Sequence, residues 1–188
     1  MEQVYVIDDL LAGCKRGERK AQEALYRSLA AKMYQVCLRY TANATEAEDV
    51  LQNGFLKVFQ AVVHFREEGS FEGWIRRIMV NTAIEGYRKQ AKKQQTITID
   101  EVFDHALQTV DIASLEVKDI LTLIQQLPDG YRAVFNMYAI EGYSHKEIAE
   151  ALQISEGASK SQLSRARSWL KSKLVNLERE GNYGSYTG

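Results

Sequence analysis

The sequence contains a single proline, Pro128, in 188 residues. Proline removes a backbone donor and breaks helices, so its near absence leaves helical segments free to run long. There are two cysteines, Cys14 and Cys37, far apart and without metal-ligand spacing. They indicate two reduced, buried thiols rather than a zinc site or a disulfide framework. The three histidines, His64, His105 and His145, each stand alone in their segments. No nucleophile–base pairing and no phosphate-binding loop is present, so no enzymatic activity, metal or cofactor is expected. No apolar run approaches the roughly 20 residues that span a bilayer, and direct membrane insertion is not expected. The opening MEQVYVIDDL lacks the basic and apolar regions of a secretory signal, which points to a cytoplasmic protein.

What is present is an ordinary globular composition, 45% hydrophobic and 26% charged, with a net charge of −1. That balance hides segregation. From Trp74 to Lys93 the charges are Arg76, Arg77, Arg88, Lys89, Lys92 and Lys93 against Glu85. From Glu156 to Leu174 they are Lys160, Arg165, Arg167, Lys171 and Lys173 against Glu156. Between these basic segments, Asp100, Glu101, Asp104, Asp111, Glu116 and Asp119 are opposed only by Lys118. Charge clusters alone are compatible with solvated faces, so helical phase has to decide their meaning.

Apolar residues recur at helical spacing nearly throughout. Leu25, Leu29, Val36 and Tyr40 mark one helix, and Leu51, Phe55, Val58 and Val62 the next. Thr45 and Glu48 have capping-box spacing at the start of the second. Gly69-Ser70 breaks the chain, and Ser70 can cap a third helix reaching about Lys93. The following stretch loses periodicity. Helices are expected from about Ser114 to Leu127 and from Asp129 to Ile140, ended by Gly142; Ser144 and Glu147 form a second capping box. The expected fold is all-α: an N-terminal helical bundle (1–94), a flexible acidic linker (95–113), a C-terminal helix-turn-helix domain (114–180) and a frayed tail (181–188).

In the segment SHKEIAEALQISEGASKSQLSRARSWL, Ile148, Ala149 and Leu152 make one apolar face. Ser155 can cap the next helix, where Leu163, Ala166, Leu170, Leu174 and Leu177 form a buried stripe. Away from that stripe lie Ser161, Ser164, Arg165 and Ser168, flanked by Lys160 and Lys171. Small polar residues let a helix approach base edges in a major groove, while Arg and Lys reach guanine or phosphate. This is helix-turn-helix geometry with the second helix as reader.

In the third helix, Ile75, Ile78, Met79 and Thr82 are expected to pack inward. Arg77, Asn81, Ile84 and Arg88 line up on the opposite face. Asn can hydrogen-bond a base edge in two places. Just upstream, Phe65, Phe71 and Trp74 surround the Gly-Ser bend, where aromatics could receive an unstacked base. Core packing is the stronger reading for Phe71 and Trp74, which leaves Phe65 and Asn81 as pocket candidates. The second helix places Glu46, Asp49 and Gln52 on a polar face beside an apolar row that includes Phe55, which suits protein docking.

The stretches AEDVLQNGFLKVF, FREEGSFEGWIRRIMVNTAIEGYRK, LPDGYRAVFNMYAIEGYSHKEIAEAL and SKSQLSRARSWLKSKL, in that order over most of the chain, resemble extracytoplasmic-function (ECF) sigma factors of RNA polymerase. The resemblance implies that the helix with Glu46, Asp49, Gln52 and Phe55 docks on the clamp helices of the largest subunit of core RNA polymerase. It implies that Phe65, Ser70, Arg77, Asn81 and Arg88 belong to the surface that reads and melts the −10 element of promoter DNA, with one base flipped into a pocket beside Asn81. It implies that Lys160, Ser161, Ser164 and Arg165 read the −35 element, and that an anti-sigma factor restrains the protein. The chain departs from the family pattern at Asn53, where an acidic residue is usual, and at Ala158-Ser159, where a Thr-Val pair is common. The competing readings are a stand-alone helix-turn-helix regulator, which leaves the Asn81 row unexplained, and a protein-binding helical adaptor whose basic stripes are solvated.

Overall fold

Helix α1 (Ile7–Lys15) turns through Gly17, in the left-handed region at φ 74°, into the long α2 (Arg19–Tyr40). Helix α3 (Ala44–Ala61) follows, then a single 3-10 turn (Val62–His64) and α4 (Phe71–Lys93). After the expected linker come α5 (Val117–Gln125), α6 (Asp129–Phe135), a π-helical continuation (Asn136–Ile140), α7 (His145–Leu152) and α8 (Glu156–Tyr183). This computed structural model describes residues 7–93 and 117–183, and side chains over 10–92 and 120–175. The linker at 95–113, Leu177's side chain and residues 184–188 lie outside the described residues; α8 itself continues to Tyr183, into the expected tail. All regular structure among the described residues is helical.

The chain divides into two compact units, residues 1–86 and 87–188. In the first, Leu25, Met33, Val58, Val62, Ile75 and Met79 are fully enclosed, and each contributes about 1.5–3 kcal/mol by leaving water. Helices α3 and α4 approach closely at Gly54, where a Cβ would overlap the Met79 sulfur. Helix α3 is capped by Asn43, not Thr45. The Asn43 Oδ1 accepts from the Glu46 amide at 2.9 Å, and the Glu46 carboxylate reaches back to the Ala42 amide at 3.2 Å. The expected box starts two residues too late.

In the second unit, Leu123, Ile124 and Leu127 pack on Ala166 and Leu170 of α8. The turn at Pro128 is held by Arg132, which is only 3% exposed. Its Nη1 donates to the carbonyls of Gln125 and Leu127 at 2.7 and 2.9 Å, and its Nη2 pairs with Asp129. One guanidinium thus satisfies carbonyls left open at the end of α5. The Ser144–Glu147 capping box is present in both directions. Gln153 takes the left-handed conformation at φ 58°, and the Ser155 Oγ accepts from the Ala158 amide at 3.0 Å to start α8. The π-helical segment has no counterpart in the sequence reading, which continued α6 as an α-helix to Ile140.

Candidate nucleic-acid interface

Helix α7 buries Ile148, Ala149 and Leu152, and α8 buries Leu163, Ala166 and Leu170 against the same unit. The opposite face of α8 therefore points to solvent. It carries Lys160, Ser161, Ser164 and Arg165, all exposed. The Ser161 hydroxyl donates to the Ala158 carbonyl at 3.0 Å, so its oxygen keeps a lone pair turned outward. Arg165 reaches the Tyr131 hydroxyl at 3.4 Å, a long and replaceable contact. A helix with small hydroxyl side chains at its centre and long cations at its rims fits a major groove in size and charge.

On α4, Arg77 and Asn81 are exposed and Arg88 is half-buried. Ile84, expected in the same row, is a core residue at 5% exposure. Helix α4 is buried around more than half its circumference: Ile75, Met79, Val80, Thr82, Ala83 and Ile84 all lie inside. Only a narrow strip remains, and Glu85 occupies the place assigned to Ile84. Its carboxylate is matched by Lys57 of α3 at 2.7 Å, which offsets a negative charge in an otherwise basic strip. Ile78 is half-buried at the strip's edge rather than fully inward.

Ser70 is exposed and its Oγ accepts from the Gly73 amide at 3.2 Å, which starts α4 as expected. Phe65 corrects the sequence reading. It is 7% exposed, with its ring centroid 5.2 Å from both Phe71 and Trp74. Three large rings gain more by burying one another than any one gains in water, so Phe65 is part of the core under the loop and not a pocket wall. The loop above it is shaped by Glu67, left-handed at φ 60°, whose carboxylate meets Lys15 of α1 at 2.6 Å.

On α3, Asp49 and Gln52 are exposed, as is Asn53. Glu46 is half-buried and engaged in the cap. Phe55, expected on this surface, is 2% exposed and meets Tyr26 edge-on at 4.7 Å. The apolar residue that faces outward beside Asp49 and Gln52 is Leu56, 59% exposed. It lies about half a turn round the helix from the buried row, a phase the sequence contains but the apolar row concealed.

Residues 25–93 match the family model described as Sigma-70 region 2, and residues 118–170 match Sigma-70, region 4. The RNA polymerase sigma-H factor of Pseudomonas aeruginosa is 32% identical over 185 residues, covering 91% of this chain and 95% of the relative. The chain belongs to the ECF RNA polymerase sigma factors. The SigW sigma factor of Bacillus subtilis is 30% identical over 175 residues, covering 87% of this sigma factor and 94% of its own length. A solved Bartonella quintana sigma factor, RpoE in complex with the anti-sigma factor NepR, is 20% identical, with 82% of this chain and 96% of that one covered and a TM-score of 0.49.

This sigma factor is a transcription-initiation protein and not an enzyme. Cys14 and Cys37 are free and buried. Burial pushes the Cys37 thiol up to about 12; it raises that of Cys14 too, with the Glu18 charge adding to it. Neither is a nucleophile at neutral pH. No described helix is long and apolar enough to cross a membrane.

Proposed function

We propose that the sigma factor joins core RNA polymerase and opens promoters through three surfaces. The α3 face of Asp49 and Gln52, with Leu56 at its centre and Glu46 at its edge, docks on the clamp helices of the largest polymerase subunit. The α4 strip of Arg77, Asn81 and Arg88, with Ser70 at its start, reads and melts the −10 element. The α8 face of Lys160, Ser161, Ser164 and Arg165 reads the −35 element. The region 1–94 carries the first two tasks, 114–180 the third, and 95–113 joins them. The protein acts in the cytoplasm, and an anti-sigma factor restrains it.

The observation that carries this reading is the exposed α8 face: hydroxyls between cations, on a helix started by the Ser155 cap. A near-neutral chain suits the role. Duplex affinity comes mostly from phosphate neutralisation, so a net charge of −1 leaves the free subunit's own DNA binding weak and salt-sensitive, while the polymerase supplies further contacts. The test is size-exclusion chromatography of the chain with core polymerase, followed by initiation from genomic fragments. Co-elution and new, discrete start sites are expected. A chain that binds operators alone but never co-elutes with core polymerase would instead be a stand-alone regulator.

A further inference from the structure

One flank of α8 borders a cleft of about 370 Å³, closed on its other side by the π-helical segment and the start of α7. Lys160, Arg167 and Lys171 line it, and no carboxylate does. In a chain with 25 acidic and 24 basic residues, three cations around one cavity with no acid among them is a marked local imbalance. Two further features bear on it. The i→i+5 winding at the end of α6, with the Glu141 amide donating to the Asn136 carbonyl at 3.0 Å, sets the Tyr138 ring against His145 at 4.6 Å and beneath the Arg167 guanidinium at 5.6 Å. Such π turns sacrifice hydrogen-bond geometry and concentrate at functional sites. The second is Ser159. It is fully buried, and its Oγ lies 2.9 Å from His145 Nδ1.

We propose that this cleft seats a backbone phosphate of duplex DNA, held by Arg167, Lys171 and the imidazole of His145, with Lys160 at its border with the base-reading face. The proposal rests on α8 as the −35 reading helix and adds a phosphate seat on the flank beside its base-reading face. A helix lying in a major groove has a sugar–phosphate strand along each side, so a cationic cleft on one flank meets one of them. Tyr138 holds Arg167 by cation–π contact, and the fork of the guanidinium matches two phosphate oxygens. Ser159 donating to Nδ1 keeps the ring proton on Nε2, the nitrogen with no other partner among the described residues. That N–H is then the donor offered to the phosphate. Ser159, standing where a β-branched residue is usual, is a positioning residue acting through His145.

The experiment measures binding of the full chain to a fluorescent duplex of about 20 base pairs across a salt series, with wild type, K171Q, R167Q, H145Q, S159A and R165A. Loss of the whole seat, in the K171Q/R167Q double variant, should lower the slope of log K against log salt by about 0.9, so that the affinity lost between about 50 and about 200 mM salt shrinks about 3.5-fold, and each single variant should lower it by part of that. K171Q is the decisive variant. R167Q also removes the contact with Tyr138, so its unfolding temperature is measured alongside. H145Q should weaken binding about 3- to 10-fold, as expected for a lost hydrogen-bond donor. S159A should weaken it comparably, and the pair together no more than H145Q alone. Wild-type slopes in both K171Q and R167Q overturn the seat, while a loss of affinity confined to R165A leaves the reading face standing. Absence of duplex binding by wild type overturns both. Displacement of the duplex by inorganic pyrophosphate at matching concentration, lost in K171Q, would assign the cleft to a free phosphate and overturn the DNA assignment.

Discussion

Replacing Arg132 with methionine removes the guanidinium and keeps the alkyl stem, so the change isolates the polar contacts. Two of them run from Nη1 to the carbonyls of Gln125 and Leu127, at 2.7 and 2.9 Å. Hydrogen bonds from a charged donor contribute about 1.5 kcal/mol or more each, which gives about 3 kcal/mol for the pair. Asp129 loses its partner too, but its side chain is 35% exposed and rehydrates, so that contact adds little. A loss of about 3 kcal/mol falls heavily on one small helical unit, whose whole stability is about 5 kcal/mol. It corresponds to a fall in unfolding temperature of about 12 °C or more for a domain of this size. The assay is denaturant unfolding followed by Trp169 fluorescence in a Trp74→Phe background, so that only the second unit is seen. The first unit and polymerase docking should be unaffected, while −35 recognition is lost at the variant's reduced unfolding temperature. A change below about 1 kcal/mol would refute the assignment of Arg132 as the clasp of the Pro128 turn.

Asp49→Arg reverses a charge in the proposed docking face and should abolish co-elution with core polymerase without shifting the unfolding temperature; normal co-elution places docking elsewhere. Arg165→Ala should cost about 1–3 kcal/mol in promoter binding and relax preference at one upstream position, whereas a uniform loss across sequences marks a phosphate contact. Gly54→Ala drives a methyl into Met79, and overpacking of about 1–3 kcal/mol exceeds the gain in helix propensity; a stabilised variant in thermal melts would contradict the close α3–α4 approach. Cys37 keeps its proton in the folded state up to about 12, while the unfolded chain loses it near the ordinary value of 9.0. The folded state then binds more protons, so stability should fall as pH rises above that value, and Cys37→Ala should flatten the fall in a pH series of denaturant melts.

Where local chemistry alone sets an element, the sequence was enough to place it. Ser144–Glu147 and Ser155 cap their helices by contacts within four residues, and the α8 face follows from one clear stripe. Apart from the α3 cap, where Asn43 and not the equally plausible Thr45 makes the local contact, the errors share a different cause. Helix α4 is enclosed on more than one side, so a single buried stripe does not describe it, and Ile84 is buried although its period aligns it with Arg77 and Asn81. Phe65 and Phe55 are aromatic at positions that either a core or a surface could use; only the neighbouring rings, distant in sequence, decide for burial. Leu56 was hidden because it follows Phe55 directly, and the outward residue of such a pair depends on the helix's rotation. Arg132 gave no signal, since a buried cation is recognised only by the carbonyls that the Pro128 turn brings to it. The π turn is likewise invisible to any 3.6-residue period.

If the chain directs core polymerase to particular promoters and opens them, its addition must create new start sites. The most direct measurement maps transcript 5′ ends made on genomic DNA by core polymerase with wild-type chain, with Asn81→Ala, and without either. Wild type should create a set of start sites that share two upstream elements at constant spacing. Asn81→Ala should still form holoenzyme but initiate weakly and with altered preference at one −10 position. Start sites identical to those of core polymerase alone would contradict the account. Wild-type output and preference from Asn81→Ala would move −10 reading away from the α4 strip.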